Sequence, residues 1–155
     1  MATEIELKFL VRDDSWRGQV REQFSIRQGY LANTERGSIR VRISGNTATL
    51  NIKSMTIGAT RTEFEYTVPV VDAVYILENL CLQPVIDKTR YLVSLDGHTW
   101  EVDEFAGQNA GLIVAEIELD SPDARYTRPD WLGEEVTHDP RYYNVNLLEH
   151  PYNEW

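Results

Sequence analysis

Ser38-Ile39-Arg40-Val41-Arg42-Ile43-Ser44-Gly45-Asn46-Thr47-Ala48-Thr49-Leu50-Asn51-Ile52-Lys53 reads as two strands joined by a tight turn. Ser38, Arg40, Arg42 and Ser44 alternate with Ile39, Val41 and Ile43. Beyond Gly45-Asn46, Thr47, Thr49, Asn51 and Lys53 alternate with Ala48, Leu50 and Ile52. A period of two is what a strand with unlike faces produces, and the Gly-Asn pair suits a two-residue hairpin turn. One face of this hairpin is aliphatic and the other carries cations, so the two faces meet different surroundings.

The same alternation extends in both directions. Residues 3–11 set Glu4, Glu6 and Lys8 against Ile5, Leu7 and Phe9; residues 26–32 set Gln28 and Tyr30 against Arg27, Gly29 and Leu31. Residues 60–68 oppose Arg61, Glu63 and Glu65 to Thr62, Phe64 and Tyr66. Residues 86–95, carrying Lys88 and Arg90, pass through the Asp96-Gly97 turn to 98–105, carrying Glu101 and Asp103. The last strand brings Glu116 and Glu118 against Ala115, Ile117 and Leu119. With the hairpin this makes eight strands. Helices are expected over 13–24 (Trp16, Val20, Phe24), over 69–82 behind Pro69, and from Asp139-Pro140, an N-cap residue followed by the proline favoured at the first helical position. The reading is one α+β, mostly β domain over 1–155.

Composition narrows the functions. The chain has 155 residues, 42% hydrophobic and 26% charged, as in an ordinary globular domain. Its net charge of −10 argues against nucleic acid, which asks for a basic footprint. No apolar run approaches the roughly 18 residues of a membrane span, and Met1-Ala2-Thr3 does not open a signal peptide. The lone cysteine, Cys81, can form no internal disulfide and reads as a buried structural thiol. Together these features read as cytoplasmic. His98, His138 and His150 lack metal-ligand spacing, and Ser25, Ser54 and Cys81 have no His–acid arrangement to make a nucleophile.

The charges sort by strand. Glu4, Glu6, Glu63, Glu65, Glu101, Asp103, Glu116 and Glu118 are the acidic members of the alternating faces; Lys8, Arg40, Arg42, Lys53, Arg61, Lys88 and Arg90 are the basic ones. A solvated sheet face is the ordinary explanation for any one strand. Such a face usually mixes signs, because like charges side by side repel, and here like charges repeat at i, i+2. Paired carboxylates suit a hard divalent cation, and paired Arg and Lys suit an anion of high charge density. Closing the sheet into an eight-stranded antiparallel barrel removes its edges and turns these faces inward, with helices covering the aliphatic exterior. The competing geometry is a lipocalin-like barrel with the aliphatic faces inward and a small hydrophobic ligand.

Glu4-Ile5-Glu6-Leu7-Lys8 resembles the E-x-E-x-K signature of the CYTH superfamily, the triphosphate tunnel metalloenzymes. Arg40-Val41-Arg42, Thr49 to Lys53, Arg61 to Glu65, Lys88-Thr89-Arg90, Glu101-Val102-Asp103 and Glu116-Ile117-Glu118 are similar to the ordered strand motifs that follow in the family. The tail from Glu135 to Asn144 is similar to the ending of short bacterial members. The resemblance implies a tunnel that binds a polyphosphate with Mg²⁺ or Mn²⁺ at a two-metal site. It implies that Lys8, Arg40, Arg42, Lys53, Lys88 and Arg90 hold the phosphates and that Glu4, Glu6, Glu116 and Glu118 hold metal, with Glu4, Glu6 and Lys8 at the catalytic centre. Arg61, Glu63, Glu65, Glu101 and Asp103 are left between metal ligation and salt bridging. Inorganic tripolyphosphate is the expected substrate. A nucleoside or thiamine triphosphatase, a class IV-like adenylyl cyclase and a non-catalytic polyphosphate-binding module are the alternatives. Oligomeric state is not legible.

Overall fold

The hairpin forms as read. In the computed structural model, which describes residues 1–55 and 58–155, β3 (Gly37–Ser44) and β4 (Thr47–Ser54) pair with Arg40 opposite Asn51 and Arg42 opposite Thr49. Gly45 takes a φ of 58°, which costs a glycine nothing. Around this hairpin run β1 (Ala2–Val11), β2 (Val20–Asn33), β5 (Thr60–Val68), β6 (Ile86–Leu95), β7 (His98–Phe105) and β8 (Ile113–Glu118). Their order is β5-β4-β3-β2-β6-β7-β8-β1, every pair antiparallel, and β1 returns to β5 through Ala2–Glu63 and Glu4–Arg61. The ring of eight is closed. A ninth strand, β9 (Leu132–Glu135), continues the edge of β1 beyond β5, pairing Phe9 with Glu135 and Val11 with Leu132. With four residues it is too short to announce itself by alternation.

Two helices expected from the sequence do not form. Of residues 13–24, only Ser15–Gln19 make a 3-10 turn, and the chain from Val20 onward is already β2. Spacing of four residues puts Val20 and Phe24 on one face of a strand as well as of a helix. Pairing with β6, from Val20–Val93 to Gln28–Ile86, decides between the two. The terminal segment makes three 3-10 turns, Pro140–Tyr142, Asn144–Leu148 and Tyr152–Glu154. Asp139 does cap the first, accepting from the Arg141 N–H at 3.1 Å. Extended backbone at Tyr143 (φ −72°, ψ 131°) then breaks the helical path.

The aliphatic faces point outward, which excludes the lipocalin-like arrangement. The expected helix over 69–82 is α1 (Val70–Asn79); its Ala73 and Leu77, with Cys81, cover Val41 and Ala48. Cys81 is buried, and burial pushes its thiol up, as befits an inert packing residue. The opposite side is covered by loops rather than by a helix. Trp16 and Trp131 close over Phe9, Val93, Trp100, Val102 and Ile117, with Trp100 edge-on to Phe9 and Trp131 at 5.7 and 5.8 Å. Such rings bury large areas and stack by edge and face. A third cluster joins Leu147 to Tyr30, Ile86, Phe105, Leu112 and Val114. Ile86 starts β6, Phe105 ends β7 and Val114 lies at the start of β8, so these residues share one end of the barrel. The terminal turns close that end. No described helix is long and apolar enough to cross a membrane.

Candidate active site

The bore contains a cavity of about 350 Å³. Of the site residues expected from sequence, Glu4, Glu6, Lys8, Arg40, Arg42, Lys53, Arg61, Glu63, Glu65, Lys88, Arg90, Glu101, Glu116 and Glu118 line it. Asp103 does not; it is fully buried behind Arg90 and Lys88. The strand order divides the signs. Strands β3, β4 and β6 contribute Arg40, Arg42, Lys53, Lys88 and Arg90, while β7, β8, β1 and β5 contribute every carboxylate. The tunnel thus has a basic wall facing an acidic one, with Lys8 and Arg61 as the cations on the acidic side.

Part of the basic wall is already neutralised. Arg90 donates through Nε and Nη2 to Asp103 at 2.8 and 2.9 Å and through Nη1 to Glu101 at 2.7 Å. Burial works against the Arg90 cation, but Asp103 and Glu101 outweigh it and raise its pKa well above the usual value. Lys88 Nζ donates to Asp103 at 2.6 Å. Its burial, and the nearby charges of Arg90 and Arg42, nevertheless bring the Lys88 ammonium down to about 7. One carboxylate shared between Arg90 and Lys88 does not fully support both. Lys53 contacts Glu4 at 2.9 Å and Glu63 at 3.8 Å. The Glu4 contact lies outside hydrogen-bond geometry, so it is an ion pair without a directed bond. Glu4 is held below the usual carboxylate range: burial raises it, and Lys53 with Arg61 more than offsets that.

Among the described residues, the ion pairs of the bore involve Lys53, Lys88 and Arg90 and none involves Lys8, Arg40, Arg42 or Arg61. Arg42 donates from Nε to the neutral Gln28 Oε1 at 2.8 Å. Burial, then Arg40 and Arg90, lower its pKa to about 9, an unusual depression for a guanidinium. Among the described residues, Arg40 Nε is buried without a hydrogen-bond partner. Lys8 Nζ donates to the Tyr142 carbonyl at 3.1 Å and lies 5.6 Å above the Tyr143 ring.

On the acidic wall the strand register sets Lys8 opposite Glu116 and Glu6 opposite Glu118. Glu6 and Glu116 lie close enough to perturb one another. Burial and the Glu116 charge push the Glu6 carboxyl well above its usual range. Burial pushes Glu116 the same way, but Lys8, the neighbouring Glu6 and the cations Arg90 and Lys88 hold it well below. The two carboxyls are thus driven apart in pKa, as close carboxylates are. Glu118 and Glu101 are both raised, first by burial and then by neighbouring carboxylates, although Arg90 partly offsets the rise at Glu101.

No group of three or more His, Cys, Asp or Glu side chains is arranged to hold a metal among the described residues. A small hard cation takes one or two carboxylates and completes its shell with waters and phosphate oxygens. The close pair Glu6–Glu116, with Glu4 and Glu118 on the same wall, is an all-oxygen donor set of that kind.

Gln28, Asn51, Tyr143 and Asn144 also belong to the site and were not identified as functional in the sequence. Asn51 lines the cavity and donates to Glu63 at 3.1 Å. Gln28 and Asn51 lie on inward faces, so alternation could have found them. Tyr143 and Asn144 come from a segment without periodicity, where only the resemblance of the tail from Glu135 to Asn144 touches them.

A closed eight-stranded antiparallel tunnel with aliphatic faces outside and opposed charged walls inside defines a fold class, and the comparisons specify it. The CYTH domain profile matches residues 2–152, and the chain belongs to that family. It is 47% identical over 152 residues to the inorganic triphosphatase of Acetivibrio thermocellus, covering 98% of this chain and 97% of that protein. It is 37% identical over 154 residues to the inorganic triphosphatase of Nitrosomonas europaea, covering 94% and 96%. A crystal structure of an inorganic triphosphatase superposes with a TM-score of 0.68 at 36% identity, over 96% of this chain and 95% of that one.

Proposed function

We propose that the protein is an inorganic triphosphatase, hydrolysing tripolyphosphate to pyrophosphate and phosphate with a divalent cation, Mg²⁺ or Mn²⁺. The observation that carries this reading is the trio Lys8, Arg40 and Arg42, cations that face the cavity and form no ion pair within 4 Å among the described residues. Unneutralised buried cations are costly unless an anion joins them. Tripolyphosphate supplies dense negative charge and asks for no apolar surface. The two aromatics of the cavity are committed elsewhere. Tyr30 is 4% exposed; Tyr143 lies beneath Lys8, with its hydroxyl donating to the Thr137 carbonyl at 2.8 Å and accepting from the Gly58 N–H at 3.1 Å. Neither offers a free platform for a base.

In this reading Lys8, Arg40, Arg42, Lys53, Lys88 and Arg90 hold the phosphate oxygens, and Arg61 adds to the field. Glu6, Glu116, Glu118 and Glu4 hold the divalent cation, which neutralises charge on the phosphate chain. Glu4 and Glu6 also orient the attacking water. Glu63, Glu101 and Asp103 fix Lys53, Arg90 and Lys88, and Glu65 lies at the edge of the same wall. Hydrolysis forms one P–O bond from that water and breaks one P–O–P bridge, so positioning and charge stabilisation are what the protein must supply. A lone buried cysteine accords with a cytoplasmic enzyme.

The test is phosphate release from tripolyphosphate. Turnover should vanish in EDTA and return with Mg²⁺ or Mn²⁺, and Glu116→Gln should keep the fold and lose most of kcat. Full turnover in exhaustively chelated buffer would refute the metal assignment.

A further inference from the structure

Gln28 is a fully buried amide with no counterpart among the charged motifs. Its Oε1 accepts from Arg42 Nε at 2.8 Å, and its Nε2 donates to Asn144 Oδ1 at 2.9 Å. The same Asn144 oxygen accepts from Lys88 Nζ at 2.8 Å. The direction of every bond is dictated by the two ends. Arg and Lys can only donate, so Gln28 must turn its oxygen to Arg42 and its NH₂ away, and Asn144 must present oxygen to both donors.

We propose that Gln28 and Asn144 are positioning residues: a neutral amide relay, completed by the terminal 3-10 turn, that aims Arg42 at the phosphate chain without cancelling its charge and braces Lys88 beside its Asp103 partner. The contrast is with Arg90, whose partners are carboxylates and whose charge is spent on them. A carboxylate at position 28 would orient Arg42 equally well and neutralise it. An amide orients it and leaves the cation available. The relay also gives the closed end of the tunnel a function beyond packing, since Asn144 reaches the site only because Leu147 seats the turn among Tyr30, Phe105 and Val114. The proposal rests on the polyphosphate reading above, and it requires anion binding rather than turnover.

The test uses the full chain and four proteins: wild type, Asn144→Leu, Gln28→Leu and Gln28→Glu. Tripolyphosphate Kd is measured by calorimetry in EDTA, and kcat and KM with excess Mn²⁺. For both leucine variants we expect Kd and KM to rise about tenfold with kcat within about threefold, since binding is weakened and the carboxylate wall is intact. Gln28→Glu should bind as weakly as Gln28→Leu although its oxygen still reaches Arg42. Asn144 is only half-buried on a surface turn, so Asn144→Leu carries the test if a substitution at Gln28 prevents folding. Unchanged Kd and KM in Asn144→Leu, or a fall in kcat alone, would overturn the relay. Wild-type affinity in Gln28→Glu would overturn its neutrality. A wild type that binds tripolyphosphate but does not hydrolyse it would refute the triphosphatase reading and leave the Kd comparison intact.

Discussion

Arg90 on β6 and Arg42 on β3 flank β2 from its two sides and enter the same bore, yet they keep different company. Arg90 makes three hydrogen bonds to Asp103 and Glu101, and its pKa is raised. Arg42 bonds a neutral amide, stands near two other guanidinium groups, and its pKa is lowered to about 9. In sequence both are one half of a basic pair, Lys88-x-Arg90 and Arg40-x-Arg42. The difference teaches that a cation's partners, more than its position in a motif, separate scaffold from anion seat. The β6–β7 cluster is a largely neutralised set of charges that holds two strands in place while Lys88 and Arg90 still face the cavity. The β3 cations, with Lys8, form an open set that an anion completes.

That contrast can be broken at either side, and the largest effect should come from the neutralised set. Asp103→Ala leaves Arg90 and Lys88 buried without their shared carboxylate. Removing one member of a buried ion pair costs about 3–5 kcal/mol, so Tm should fall by roughly 10 °C for a domain of this size. A calorimetric scan that leaves Tm unchanged would show the cluster to be dispensable. From the open set, Arg42→Ala should cost about 100-fold in kcat/KM for tripolyphosphate, the order of one or two charge-assisted hydrogen bonds. Its Tm should hold or rise, because the change removes repulsion with Arg40 and Arg90. A Tm loss equal to that of Asp103→Ala would erase the distinction.

A smaller effect sharpens the substrate. With Tyr30 and Tyr143 committed, tripolyphosphate should exceed ATP and thiamine triphosphate by at least about tenfold in kcat/KM, with pyrophosphate poorly cleaved. A phosphate-release panel at matched metal excess decides this, and ATP winning would restore a nucleotide reading. The smallest effect is in pH. Lys88 binds anions as the ammonium, and its pKa in the free protein is about 7. Its contribution is therefore complete below that pH and lost as pH rises through it. Affinity for tripolyphosphate in EDTA should weaken several-fold from about pH 6.5 to 8.5, and Lys88→Arg, which stays charged, should flatten that slope. An identical slope in both proteins would move the titration elsewhere.

The sequence was most legible where its signal is local. The β3–β4 hairpin, the ring of strands and the inward direction of Glu4, Glu6, Lys8, Arg40 and Arg42 all follow from alternation. It was least legible where distant partners decide. Val20 and Phe24 satisfy both a helix and a strand, and only pairing with β6 selects the strand. Asp103 could not be distinguished from a cavity ligand, because its burial depends on Arg90 and Lys88 closing over it. Asn144 lies in a turn with no pattern of its own and becomes part of the site through contacts with Lys88 and Gln28.

The most direct test of the open set is the stabilisation it gains from its ligand. Saturation at a hundredfold excess over Kd adds about 2.7 kcal/mol to the folded state, several degrees in Tm. Tripolyphosphate with Mn²⁺ should produce that shift in wild type and a much smaller one in the Arg40→Ala, Arg42→Ala double variant, while both ligand-free proteins melt alike. A double variant that responds as fully as wild type would place the phosphate site outside the β3 cations and contradict the account.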